Sequence, residues 1–127
     1  MVGIVIVSHS QRIAEGVVEL CRQMAPTVPM AAAGGLPGGE IGTDFERIYE
    51  AIASVGGDDG VAVLFDLGSA LMTTEMVMEQ FEDIPVKLVN APIVEGAVVA
   101  AVTAEGGATL DEVLAEAHTV YDVPKVE

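Results

Sequence analysis

The chain is poor in cations. It has 5 Lys and Arg against 20 Asp and Glu, so its 127 residues carry a formal net charge of -15. A surface that holds DNA or RNA phosphates needs a basic face, and so few cations do not furnish one. The same shortage excludes a polybasic membrane anchor. Cysteine is almost absent. Cys21 alone permits no intrachain disulfide and fits a reducing, cytoplasmic compartment; on a helical segment it reads as an inert buried thiol. No Cys/His spacing suits zinc, and one His with one Asp does not close a metal site, so neither metal nor other cofactor is expected. The longest charge-free stretch, Gln23 to Gly39, is broken by Pro26, Pro29, Pro37 and four glycines, which excludes a membrane-spanning helix. The opening MVGIVIVSHS lacks a positive n-region and a small-residue cleavage site, so no signal peptide is expected.

What is abundant is apolar surface. At 51% apolar residues the chain can bury a core, which excludes disorder. Its length suits one domain. Val2 to Val7 is β-branched and apolar throughout except for one Gly, the pattern of a parallel strand covered on both faces. Ser8-His9-Ser10 follows, and a helix to about Met24 is predicted, with Ile13, Val17, Leu20, Cys21 and Met24 as its apolar stripe and Ser8 or Ser10 as its cap. Val28 to Ala33 reads as a weaker strand. GGLPGGEIGTD, from Gly34 to Asp44, is too rich in Gly and Pro for regular structure. Thr43 or Asp44 then caps a helix to about Val55, striped by Phe45, Ile48, Tyr49 and Ile52. Val61 to Phe65 is a third apolar strand, DLGSA leads into a helix to about Phe81, and Val86 to Val89 is a fourth strand. Pro92 opens a small-residue helix over Ile93 to Ala104, and Thr109 caps a last one from Leu110 to His118. The tail YDVPKVE reads as an extra edge strand or a frayed end.

Helices alternating with four short apolar strands predict an α/β fold: a four-stranded, mainly parallel sheet flanked by helices. With strand order 2-1-3-4, a ligand would sit where the order reverses, outside the carboxyl ends of strands one and three. The segments there are Ser8-His9-Ser10 and Asp66-Leu67-Gly68-Ser69. A neutral imidazole at His9 suits a nucleophile, a base or a ligand. Asp66 could orient it by accepting its second N–H. Helix starts favour a phosphoryl group, to which Ser69 could donate. The residues alone also allow His9 to be a polar loop residue and Asp66 a helix-entry residue. His118 reads as solvated or structural. Arg12, one turn beyond His9, faces either the phosphate or Glu15 and Glu19 at the surface; the surface pairing is favoured. There is no P-loop, no G-x-S-x-G elbow, and no acidic pair after strand one.

Four motifs fall in order at matching strand ends: GIVIVSHS, GGLPGGEIGTD, LFDLGSALM and NAPIVEGAVVAAV. Together they resemble the phosphotransferase (DhaM) subunits of phosphoenolpyruvate-dependent dihydroxyacetone kinase, which belong to the mannose-type IIA family of the sugar phosphotransferase system. The resemblance implies a phosphoryl relay. The family's active histidine maps onto His9, which would accept phosphate from the carrier protein HPr and pass it to ADP on a separate nucleotide-binding kinase subunit. It implies Asp66 as the partner of that histidine, Gly68 and Ser69 as the family's Gly-Ser pair, and Gly34 to Thr43 as its glycine-rich loop, with Thr43 a supporting residue; beside it, the hydroxyls of Ser8, Ser10 and Ser69 at the helix starts could position and stabilise a phosphoryl group. It also implies attack through Nε2 and a homodimer. Some family members carry HPr-like and enzyme I-like domains, for which 127 residues are too few. The nearest alternative is a mannose-family sugar IIA domain donating to a IIB domain; DLGSA and NAPIVEGA favour the dihydroxyacetone branch. A regulatory module that uses His9 phosphorylation as a signal is a third. The acidity would steer a basic carrier or reflect a salty cytoplasm.

Overall fold

The apolar strand segments pair as expected. In the computed structural model, which describes residues 1–126, they are β1 (Gly3–Ser8), β2 (Met30–Gly34), β3 (Val61–Phe65) and β4 (Val86–Leu88). All pairs are parallel, in the order β2-β1-β3-β4. The helices are α1 (Gln11–Arg22), α2 (Phe45–Val55), α3 (Gly68–Met78), α4 (Ile93–Glu105) and α5 (Leu110–His118). Strand side chains alternate between faces. Ile4, Ile6, Ala62 and Leu64 meet α1, α4 and α5, whereas Val5, Val7, Val61 and Val63 meet α2 and α3. Both faces are therefore covered, which is why β2, β3 and β1 up to Val7 have no polar alternate position, whereas the short edge strand β4 carries exposed Lys87. No helix among the described residues is long and apolar enough to cross a membrane.

Helix starts follow their capping residues. Ser10, not Ser8, caps α1, its hydroxyl accepting from the Ile13 N–H. Asp44, not Thr43, caps α2 through the Arg47 N–H. Thr109 and Glu112 form a reciprocal capping box at α5. α3 ends earlier than expected, at Met78.

Two expectations fail for identifiable reasons. On α1 the buried face is Ala14, Val17 and Cys21, while Ile13, Leu20 and Met24 are more than 40% exposed. The helix sits close to the sheet on its small residues, and Ala14 packs at Gly34. A second apolar stripe, one position over, points outward. The tail forms no edge strand among the described residues. Thr119–Asp122 is a single 3-10 turn, and the segment stays with the helical layer rather than reaching β4. Tyr121 donates to the Asn90 side chain, and Lys125 pairs with Glu95 of α4. Pro124 also removes a donor that a strand would need. Glu127 lies outside the described residues. By contrast, the small-residue helix α4 belongs to the core: Gly96, Ala97, Ala100, Ala101 and Ala104 are buried. Cys21 is buried as expected, and burial pushes its thiol pKa up.

The close approach of α1 to β2 brings the helix start up to the end of the sheet. A Cβ on Gly34 would lie 2.5 Å from the Ser10 carbonyl oxygen and 2.8 Å from the Ala14 Cβ. Gly34→Ala should therefore destabilise the fold by about 1–3 kcal/mol through overpacking. Urea unfolding should show a lower midpoint at unchanged slope. An unchanged midpoint would refute this seating of α1.

Candidate functional site

β1 and β3 lie side by side, with Val7 opposite Phe65, so the residues that follow them emerge together at the carboxyl end of the sheet. β1 delivers Ser8 and His9, and β3 delivers Asp66. The chain order reverses here, since β1 leads to α1 on one face and β3 to α3 on the other.

The Asp66 carboxylate collects four donors. Oδ2 accepts from the Ser8 hydroxyl at 2.7 Å and from the His9 backbone N–H at 3.0 Å. Oδ1 accepts from the Leu67 N–H at 2.8 Å and lies 2.9 Å from His9 Nδ1. Burial alone would raise the carboxyl pKa. The hydrogen bonds from the Ser8 hydroxyl, the His9 ring and the two backbone N–H groups outweigh that and hold it below the ordinary 3.8. An ionised carboxylate only accepts, so Nδ1 must carry the proton. In neutral imidazole this leaves the Nε2 lone pair free. Ser69 Oγ, in the first turn of α3, lies 2.5 Å from Nε2 and is the donor in that contact. The ring is therefore clamped at both nitrogens, yet its side chain is 18% exposed against 14% for Asp66. The arrangement fixes the orientation of the ring, with Nε2 turned toward Ser69 at the start of α3.

The other expected residues take distinct places. Ser8 is fully buried; its hydroxyl donates to Asp66 and accepts from the Ser10 N–H, so it braces the carboxylate and faces no incoming phosphate. The Ser10 hydroxyl is occupied as the α1 cap. Gly68 opens α3, and a Cβ there would meet nothing within 4 Å. The glycine-rich loop reaches the site through its backbone. The Gly42 N–H donates to the His9 carbonyl at 2.9 Å, with Gly42 at φ 150°, a conformation other residues rarely adopt. Thr43 does not touch His9; its hydroxyl meets Thr73 of α3 at 3.1 Å. Sequence reasoning missed Thr73, whose only signal is its position one turn after Ser69. Arg12 is exposed and makes no ion pair with Glu15 or Glu19 among the described residues, against the favoured surface pairing; it lines a surface recess with Ser10, Gln11, Glu15, Gly39 and Ile41. His118 is structural, its Nδ1 2.8 Å from the Asn90 carbonyl and its ring edge-on to Tyr121. No cluster of metal-ligating residues occurs among the described residues.

The family model EIIA-man, described as PTS system fructose IIA component, matches residues 3–114. A PTS-dependent dihydroxyacetone kinase phosphotransferase subunit DhaM from Lactococcus lactis is 43% identical over 87% of this chain and 89% of its own length. The DhaM phosphoryl donor subunit of the PEP-dependent dihydroxyacetone kinase of Klebsiella michiganensis is 40% identical across 100% of the chain. This chain spans only 28% of that relative's length. A crystal structure of a protein described as of unknown function superposes with a TM-score of 0.80, at 31% identity, over 94% of this chain and 95% of that one.

Asp66 ties its site to acid stability. Its native pKa lies below the unfolded value, so its contribution is full above about pH 4 and is lost as pH falls through the lowered native value. At neutral pH, Asp66→Asn should cost about 1–2 kcal/mol. The gap from wild type should shrink as both are acidified towards pH 2. Denaturant titrations across that range test this; a gap independent of pH would exclude an ionised, hydrogen-bonded Asp66.

Proposed function

The chain belongs to the EIIA-man family, the PTS system fructose IIA components, and from that premise we propose that it carries a phosphoryl group on His9. The observation that carries this reading is the double clamp on the ring: Asp66 at Nδ1 and Ser69 at Nε2. In the proposed step the Nε2 lone pair attacks phosphorus of the HPr phosphohistidine. The Nε2–P bond forms here as the carrier's N–P bond breaks, and the carrier histidine leaves with the electron pair. The imidazolium so formed keeps its Nδ1 proton, and ionised Asp66 offsets its charge. Ser69 Oγ, displaced from the lone pair, turns to donate to a phosphoryl oxygen. The amino end of α3 adds its dipole, and such positioning is most of what phosphoryl transfer needs.

The acceptor in this proposal is ADP held on the nucleotide-binding subunit of a dihydroxyacetone kinase. Attack by the β-phosphate oxygen breaks the N–P bond, yields ATP and returns His9 neutral. The support is the similarity to the Lactococcus subunit over nearly its whole length. We place the protein in the cytoplasm as a homodimer, as the family resemblance implies, with HPr and the kinase subunit as partners and no cofactor. The family model's sugar-system description favours a second reading, donation to a IIB domain.

Incubation with phosphorylated HPr should label the protein with acid-labile phosphate, and His9→Ala should abolish labelling. Asp66→Asn should slow it on the order of a hundredfold. Label that persists in His9→Ala would sink the proposal. Discharge to a IIB domain but not to the ADP-loaded kinase subunit would select the second reading.

A further inference from the structure

His9 is held by more than its two ring contacts. The loop that follows β2 is tied to two parts of the site. The Gly42 N–H donates to the His9 backbone carbonyl. The adjacent Thr43 meets α3, where its hydroxyl lies 3.1 Å from that of Thr73. Thr73 Oγ in turn lies 3.4 Å from the Ser69 carbonyl, one helical turn back. A hydroxyl has one proton to give. Thr73 gives its proton to the Ser69 carbonyl or to Thr43 Oγ, and in either case the two hydroxyls share one hydrogen bond between the loop and α3. The circuit is closed: the His9 carbonyl, Gly42, Thr43, Thr73, Ser69, and back to His9 Nε2.

From this circuit we infer that Thr73 is a positioning residue for the histidine, acting with Thr43 to lock the glycine-rich loop to α3 and so hold Ser69 Oγ against Nε2. Three observations separate this from ordinary helix chemistry. A threonine that merely bonds back to its own helix needs no second hydroxyl, as Thr74 shows by donating to the Ala70 carbonyl. Thr73 has that second hydroxyl, from a segment 30 residues away. α3 also starts without a side-chain cap, so its first turn has no other side-chain anchor of that kind. Finally, the loop carrying Thr43 is rich in glycine and is free to move unless tied, and its ties at this end are Gly42 to His9 and Thr43 to Thr73. Losing one neutral hydrogen bond shifts such a local equilibrium about fivefold.

The inference deepens the proposed role of His9, but its first test does not depend on that role. Nitrogen-15 spectra of the unphosphorylated protein resolve the two rings, His9 and His118. Ser69→Ala should move Nε2 of His9 toward the value of a bare imine nitrogen. Thr73→Val and Thr43→Val should each move it partway in the same direction, leaving His118 in place. Thr73→Ser, which keeps the hydroxyl, should restore the wild-type position. If wild type takes up phosphate from HPr, Thr73→Val should slow transfer about fivefold and Thr73→Ser should recover it. An unmoved His9 resonance in Thr73→Val, with Ser69→Ala shifted, overturns the inference. So does a shift in Thr73→Val without one in Thr43→Val, because the loop would then play no part. Displacement of His118 together with His9 in both valine variants, unrescued by Thr73→Ser, also overturns it by showing general loss of structure. Absence of phosphorylation in wild type would remove the proposed function and leave the spectroscopic result standing.

Discussion

One carboxylate organises this end of the molecule. Asp66 is the first residue beyond β3, and its four donors come from the ends of two neighbouring strands. Parallel strands leave N–H and C=O groups unpaired where they finish, and here a side chain meets that need. The same carboxylate holds His9 at Nδ1 and so turns Nε2 toward Ser69. Fold and site are joined through a single ionised group. Its pKa is lowered because the hydrogen bonds that finish the sheet outweigh the burial they accompany.

The charge balance gains meaning beside that group. The chain carries -15, and the site contains no cation in contact with His9 among the described residues. Four of the five basic side chains are occupied elsewhere: Arg22 and Arg47 on backbone carbonyls, Lys87 on Asp111, Lys125 on Glu95. An anion at Nε2 would therefore rely on hydroxyl and backbone dipoles. Dipoles act at short range and are little felt across the acidic exterior, so a locally favourable spot and a repulsive surface can coexist.

Much of this was legible in the residues. Apolar runs without alternation predicted parallel strands, and four such runs separated by helices predicted the sheet. The strand order then placed Ser8-His9 beside Asp66-Ser69. Helix faces were harder. α1 has two apolar stripes, and only the fit of Ala14 against Gly34 decides which is buried. The tail alternated apolar and polar residues well enough to suggest a strand, but its contacts with Asn90 and Glu95 keep it on the helical layer. Ser8 was read as a supporting or phosphate-binding residue, and whether its hydroxyl faces outward or inward depends on strand register; here it turns inward to Asp66. Thr73 could not be found by motif, because its partner lies in a glycine-rich loop whose path no periodicity predicts.

The arrangement reconciles accessibility with order. An imidazole on a flexible chain samples both tautomers and many rotamers. Here the constraint is moved one residue inward. Ser8 is wholly buried, while Asp66 and His9, which follow the two strands, are both part-buried. The backbone of His9 is held at its N–H by Asp66 and at its carbonyl by Gly42, so the ring inherits the rigidity of the sheet without its burial. At the carboxyl end of a doubly covered parallel sheet the interior stops within one peptide unit, and here that step falls between Ser8 and His9, after the apolar run Ile4 to Val7.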